Sequence, residues 1–231
     1  MSVPVIAIDG PSASGKGSVA QRVAKKLGFH YLESGALYRV LGLISIREDS
    51  LEEEVIASAA KKMQLKFRRG KILLSNQDVT EDVRGEGCGN RASEVARIPK
   101  VRAALIGYQR SFRKRPGLVA DGRDMGTVVF PDASLKVFLT ASPQVRAERR
   151  YNQLKDKGIN ANLRALSRDL QERDERDAKR AVAPLVPAPD AQVLDSSALS
   201  IEEVVDRIVG CTGKGNSVGE AEAAPGFQLS P

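Results

Sequence analysis

Gly10, Gly15 and Lys16 stand at the spacing GxxxxGK within Gly10-Pro11-Ser12-Ala13-Ser14-Gly15-Lys16-Gly17-Ser18. Residues of these types in this order suit a polyphosphate. The glycines let the backbone wrap so that several N–H groups face one anion, a following helix adds positive potential, and the lysine adds a full charge. The bland alternative is an ordinary strand-to-helix turn, which the spacing, the flanking elements and the lysine count against. Gly17 follows Lys16 where Ser or Thr is the common form, so the Ser18 hydroxyl is shifted by one helical position. Ser18 is therefore an insecure metal ligand, and Mg²⁺ is expected to be held mainly through phosphates and water.

A loop of this kind needs a strand before it and a helix after it. Residues 3–8 are a short β-branched run ending at Asp9-Gly10, and Val19, Ala20, Val23, Ala24 and Leu27 follow at helical spacing, with Gly28 placed to stop the helix. Residues 29–32 read as a second strand, Ser34 as a helix cap, and Leu37, Val40, Leu41 and Ile44 as one apolar stripe. A helix is expected over 51–62 with Val55, Ile56 and Ala59 inward, then a small antiparallel insert over 65–79. Pro99 opens a helix carrying Val101, Leu105, Tyr108 and Phe112 that is expected to end at Arg115-Pro116-Gly117. Residues 118–121 and 135–139 have buried-strand character. Pro143 starts a helix bearing Arg146, Arg149 and Arg150, and Gly158-Ile159-Asn160 interrupts it before a charged helix over 163–180. A Pro-rich connector (182–189), a last strand (192–194) and a last helix (200–209) follow, and the segment beyond Cys211 reads as a disordered tail. Strands alternating with helices define an α/β chain with a parallel sheet, whose ligands lie beyond the carboxyl ends of the strands. The loops that begin at Gly10, Glu33, Asp121 and Thr140 are the ones to search.

At 231 residues and 42% hydrophobic content, one α/β core with insertions is affordable. No apolar run approaches bilayer length and residues 3–8 have no basic leader, so a cytoplasmic chain without a membrane partner is expected. Two distant cysteines, Cys88 and Cys211, exclude a disulfide framework or zinc ribbon. The net charge of +7 suits nucleic acid, an anionic membrane or phosphorylated small molecules. A 4% aromatic content and the absence of tryptophan argue against nucleic acid as the main ligand. No coiled-coil or cysteine pattern demands assembly, and a monomer is expected.

GxxxxGKG[ST] is the form of the phosphate loop found in nucleoside monophosphate kinases. Ile8-Asp9-Gly10-Pro11-Ser12, Ser34-Gly35-Ala36-Leu37-Tyr38-Arg39, Asp121-Gly122-Arg123-Asp124-Met125-Gly126 and the segment from Arg173 to Arg180-Ala181-Val182-Ala183-Pro184 together resemble the bacterial cytidylate kinases, over residues 3–210 in order. The resemblance implies ATP with Mg²⁺ as donor and CMP or dCMP as acceptor. It also implies a three-layer phosphate-loop core, a parallel sheet flanked by helices, with a monophosphate-binding insert and a helical lid. The corresponding ranges are 1–33, 113–149 and 179–211 for the core, 34–112 for the nucleotide lobe, 150–178 for the lid and 212–231 for the tail.

A monophosphate acceptor needs cations on its phosphate, and Arg39, Arg123 and Arg180 with the Ser34 hydroxyl are the candidates, because a guanidinium donates two parallel hydrogen bonds. Each has a plainer reading: Arg39 as a solvated helix residue, Arg123 in a local ion pair, Arg180 as a helix-end charge. Cytosine offers an amine donor beside two acceptors, which a carboxylate next to a cation or hydroxyl can read. The resemblance assigns that task to Asp124, Arg102 and Ser93; by sequence alone Arg102 ranks with any surface arginine. Arg173, Arg176, Asp177 and Arg180 fall on one helix face, and the resemblance puts Arg173 and Asp177 on the ribose and Arg180 on the phosphate. A solvated, ion-paired helix is the alternative. Asp121 either orients Mg²⁺-bound water or pairs with Arg123. Lys16, Arg123, Arg180 and Asp121 form the expected catalytic set. Arg146, Arg149 and Arg150 are candidates to reach ATP, His30 is expected to be structural, and Tyr38 to pack or stack. A kinase for UMP, AMP or a small alcohol, a non-catalytic ATP-binding module and an RNA-binding protein are the competing readings.

Overall fold

The computed structural model describes residues 2–68 and 70–213. β1 (Val5–Asp9) is buried along its whole length, as a central parallel strand covered on both faces must be. It pairs in parallel with β6 (Leu118–Gly122) on one side and β7 (Leu135–Thr140) on the other. β2 (His30–Glu33) flanks β6 and β8 (Gln192–Asp195) flanks β7, again in parallel, so the order is β2-β6-β1-β7-β8. The expected α/β class is the observed one. Alternate residues of β1 serve opposite layers. Ile6 and Ile8 pack with Val19 and Val23 of α1 (Lys16–Leu27) and with Val204 and Ile208 of α9 (Ile201–Gly213); Val5 and Ala7 share a core with Leu37 and Leu41 of α2 (Ser34–Arg47).

The insert between β2 and β6 holds α3 (Glu53–Lys62), the antiparallel sheet β3 (Leu65–Arg68), β4 (Lys71–Leu74) and β5 (Gln77–Asp78), and three helices, α4 (Thr80–Arg84), α5 (Glu86–Val95) and α6 (Pro99–Arg110). After β7, α7 (Pro143–Asp156) and α8 (Leu163–Ala178) form a helical hairpin broken at Gly158, which takes a left-handed conformation.

Several local expectations are corrected. Ser34 is the first residue of α2 and caps nothing; Glu33 holds the cap position. Val55 is exposed, while Ile56, Ala57 and Ala60 face inward. The helix opened by Pro99 ends at Arg110, and α8 ends at Ala178, so Arg180 lies in the following connector. α9 continues through Gly213 instead of giving way after Cys211, and the rest of the expected tail lies outside the described residues. α4 and α5 were not anticipated. Cys88 and Cys211 are free thiols, and no helix among the described residues is long and apolar enough to cross a membrane.

α2 and α5 meet at Gly42, where a Cβ would lie 2.9 Å from the Ala92 nitrogen and 3.1 Å from the Cys88 carbonyl oxygen. Backbone cannot yield as a side-chain tip can. Gly42→Ala gains about 1 kcal/mol of helix propensity but overpacks this contact at a cost of about 1–3 kcal/mol. Urea unfolding is therefore expected to show a net loss of stability; a gain would mean that the two helices separate freely.

Candidate active site

The phosphate loop begins where β1 ends. At Gly10 a Cβ would lie 2.0 Å from the Leu139 carbonyl oxygen of neighbouring β7, so no side chain fits. Gly15 precedes α1 in a left-handed conformation, and Lys16 opens the helix. Lys16 Nζ donates to the Pro11 carbonyl at 3.0 Å. Two arginines of α7 brace the loop from behind: Arg146 donates to the Ser12 carbonyl at 3.3 Å and pairs with Asp174, and Arg149 donates to the Ser14 carbonyl at 3.1 Å and to the Ser196 hydroxyl at 3.1 Å. Arg150 turns elsewhere, to Glu86. The Ser14 Oγ is buried without a hydrogen-bond partner.

Ser18 is exposed on α1. A Cβ at Gly17 would come within 3.3 Å of Asp121 Oδ2 and 3.8 Å of Tyr31 Oη, so the position after the lysine faces the end of β6. There Tyr31 donates to Asp121 Oδ2 at 2.9 Å. Burial pushes the Asp121 carboxyl well above the ordinary carboxylate range, and burial together with Arg123 pulls Lys16 below the ordinary lysine value. The anticipated alternative of an Asp121–Arg123 ion pair is not what forms, because Arg123 turns to Asp177. The donors here are hard oxygens, the kind that hold Mg²⁺ with its water shell, and no cluster of three or more carboxylate, histidine or cysteine ligands occurs among the described residues. That set fits a metal carried in with its phosphates.

Beside the loop lies a narrow cleft of about 50 Å³. Ser34 and Tyr38 of α2, Ser93 of α5, Arg102 of α6, Arg123 and Asp124 after β6, Arg173 and Asp177 of α8, and Arg180 line it. The sequence-derived acceptor set is thus brought together with one exception, Arg39. The Arg39 guanidinium donates to the carbonyls of Val83 (2.8 Å) and Gly85 (3.3 Å) and lines an adjoining cleft with Ser12, Ala13, Glu86, Arg150 and Arg173. It is not a solvated surface charge. Arg176 leaves the stripe and donates to the Glu172 carbonyl at 3.3 Å.

Two buried charge clusters organise the cleft. Arg102 pairs with Asp124, donates to the Ala96 carbonyl at 3.2 Å, and stacks its guanidinium 5.7 Å from the Tyr38 ring centroid. Asp177 accepts from Arg123 Nε at 2.8 Å, from Ser93 Oγ at 3.0 Å and from Arg180. Burial works to raise its carboxyl, but Arg123, Arg180 and Arg173 together outweigh burial and hold it down at about 2. The Nε groups of Arg173 and Arg180 are buried without a hydrogen-bond partner, although both side chains line the cleft.

Asp9 is a residue the sequence reading passed over as the end of a strand. Its two carboxylate oxygens accept the Met125 and Gly126 amides at 2.8 Å each, and burial pushes its carboxyl up to about 6 against the pull of those amides. Tyr31 was also missed, being read only as part of a short strand. Its place opposite the residue after a phosphate-loop lysine depends on strand order, which no local motif encodes. His30 is bonded by Nε2 to the Arg115 carbonyl at 2.9 Å, in keeping with a structural role.

A phosphate loop at the carboxyl end of the central strand of a five-stranded parallel sheet, with a cation-lined second cleft next to it, defines a phosphate-loop kinase. The chain matches the family model described as cytidylate kinase over residues 6–213. It is 58% identical over 208 residues to the cytidylate kinase of Paraburkholderia phymatum and 57% identical to that of Burkholderia multivorans, in each case covering 89% of this chain and 91% of the relative. A solved structure of an uncharacterized protein from Eubacterium ventriosum superimposes with a TM-score of 0.50 at 11% identity, over 91% of this chain and 98% of that one, which speaks for the fold alone. The chain belongs to the cytidylate kinase family, and it is a nucleoside monophosphate kinase.

The Asp177 cluster generates a pH dependence. A carboxyl held at about 2, against 3.8 for a free aspartate, stabilises the fold at pH values above 3.8 and loses that contribution as pH falls through about 2. Asp177→Asn is expected to be less stable than the parent by about 2 kcal/mol near neutral pH, with the gap narrowing as the pH is lowered from 4 towards 2. Urea titrations of both proteins across that range provide the check.

Proposed function

We propose that this chain transfers the γ-phosphoryl group of ATP to CMP and dCMP, giving CDP and dCDP, with the phosphate loop as donor site and the adjoining cleft as acceptor site. The observation that carries the acceptor choice is the buried Arg102–Asp124 pair beside Ser93. A carboxylate can accept from the cytosine amine while the guanidinium and hydroxyl serve its acceptor atoms; uracil presents an acceptor where cytosine presents that amine. Family membership supports the same reading.

In this scheme the loop amides from Gly10 to Ser18 and the Lys16 ammonium hold the ATP phosphates. Arg123, Arg180 and the Ser34 hydroxyl hold the acceptor phosphate, with Arg39 reaching in from the adjoining cleft, while Arg173 and Asp177 take the ribose. An oxygen of the CMP phosphate attacks the γ-phosphorus in line, the bond to the bridging oxygen of ADP breaks, and no covalent enzyme intermediate forms. The protein contributes alignment and charge stabilisation, with Lys16, Arg123 and Arg180 around the transferring group. Asp121 would orient the water shell of a Mg²⁺ carried in with the phosphates, and that ion would supply further neutralisation of phosphate charge; Ser18, exposed on α1, is not needed to hold it. A single chain supplies every one of these groups, which suits action as a monomer.

Residues 150–178 act as a lid over the nucleotide lobe, 34–112, and the core. A cleft of about 50 Å³ is far smaller than a nucleotide site, so the Asp177 contacts to Ser93 and Arg123 give way to an entering ligand and free the carboxylate for the ribose. Closure excludes water, which would otherwise accept the phosphoryl group. Hydrogen–deuterium exchange with a bisubstrate analogue is expected to add protection within 150–178; unchanged exchange there would count against the lid.

Coupled assays with ATP and CMP, dCMP, UMP or AMP test the acceptor. CMP and dCMP are expected to stimulate ADP formation most strongly, and failure of every acceptor to do so would remove the kinase reading. In the same assay Asp124→Asn should reduce the CMP-over-UMP ratio of kcat/KM by about tenfold or more. An unaltered ratio takes Asp124 out of base recognition.

A further inference from the structure

Asp9 is the last residue of β1, directly before the phosphate loop, and is almost fully buried. Its carboxylate forms no ion pair among the described residues, although the Lys16 charge lies near enough to act on it. Lys136, whose methylenes run so close to Gly126 that a Cβ added there would lie 3.2 Å from them, sends its ammonium to Asp190 at 2.9 Å instead. Both oxygens of Asp9 are spent on the amides of Met125 and Gly126, the first two residues of a π-turn, Met125–Val129, that leads away from Arg123-Asp124. Asp124 occupies the cap position of that turn, with φ −148° and ψ 25°. A one-residue shift of the turn would therefore move both the carboxylate paired with Arg102 and the guanidinium paired with Asp177.

We infer that Asp9 is a positioning residue for the acceptor site: by clamping two consecutive amides it fixes where Arg123 and Asp124 stand relative to the phosphate loop, and so sets acceptor affinity and base choice without touching either nucleotide. The inference rests on the acceptor roles proposed above for Arg123 and Asp124. It differs from a general stabilising role because the clamp acts on one side only. The phosphate loop is also braced by Arg146, Arg149 and the packing of Gly10 against β7; on the acceptor side Arg110 holds only the far end of the turn, through the Val128 and Val129 carbonyls, and the Met125 and Gly126 amides next to Asp124 bond to Asp9.

Asp9→Asn keeps the volume but offers one acceptor oxygen, and turns an NH₂ donor towards an amide that also donates. Asp9→Glu keeps both acceptors and the charge while pushing them one methylene into the turn, and guards against an Asn variant that does not fold. Steady-state kinetics of the full chain, melting curves, and Asp124→Asn in parallel make the test. Either Asp9 variant is expected to raise KM for CMP by about tenfold or more and lower the preference for CMP over UMP, with KM for ATP within about twofold of the parent. A lower melting temperature with both KM values unchanged would show that Asp9 is merely structural, and an equal rise in both KM values would show general loop damage; either overturns the inference. If Asp124→Asn leaves base preference intact, the reading of the base site fails, while the split between the CMP and ATP KM values still decides the role of Asp9.

Discussion

Hydrogen bonding of β6 to β1 in the register Asp9↔Gly122 puts the residue before the phosphate loop level with the residue before Arg123. Both strands run the same way, so both loops emerge from the same edge of the sheet; an antiparallel neighbour would have sent its loop to the far side. Asp9 and Met125, 116 residues apart in the chain, meet as a result. The register is not free to drift. Alternate residues of β1 are committed to different cores, and a slip of one position would turn every side chain of the strand to the wrong layer. The proposed donor and acceptor halves of the site are therefore tied to each other by apolar packing well below the cleft.

The cleft itself works against stability. Each buried guanidinium or carboxylate gives up several kcal/mol of hydration, and Arg102, Asp124, Asp177 and Arg180 are all buried. Paired as they are, the charges recover much of that loss, yet apolar residues of similar volume would pack there at less cost. What the ion pairs retain is chemistry: fixed donors and acceptors at low local polarity, where each hydrogen bond to a ligand counts for more than it does in water. One apolar core, on the α1 and α9 side of the sheet, lies apart from this region, while the other reaches its floor through Tyr38, Ala92 and Ala96.

Much of this was legible in the sequence because it is local. The phosphate loop, the parallel strands, the antiparallel insert and the break near Gly158 announce themselves through glycine spacing, β-branched runs and helix punctuation. What was missed depends on distant partners. α5 carries Gly85, Gly87 and Gly89 at or near its start, residues of low helix propensity that give it no helical signal. At Gly89 the reason is packing, since a Cβ there would lie 3.0 Å from the Arg39 guanidinium. The π-turn at Met125–Val129 has no helical signature of its own and leans on the Asp9 carboxylate from another strand. Arg102 looks like any arginine until α6 is docked against the end of β6. Arg176 shows the limit of counting faces: at 3.6 residues per turn it sits about 60° from Arg173, enough to leave the cleft while its neighbour Asp177 stays inside it.

Asp177 adds something that follows from where its carboxylate sits. Tethered through α8, it holds donors of Arg123, Arg180 and Ser93 as an anionic ligand would. A nucleotide seeking those donors competes with a rival that is part of the same chain and present at high effective concentration. In the acceptor role proposed above, part of its binding energy would go into displacing that rival. The same arrangement spares the protein a knot of bare, mutually repelling guanidiniums, so α8 keeps the cleft it lines charge-balanced.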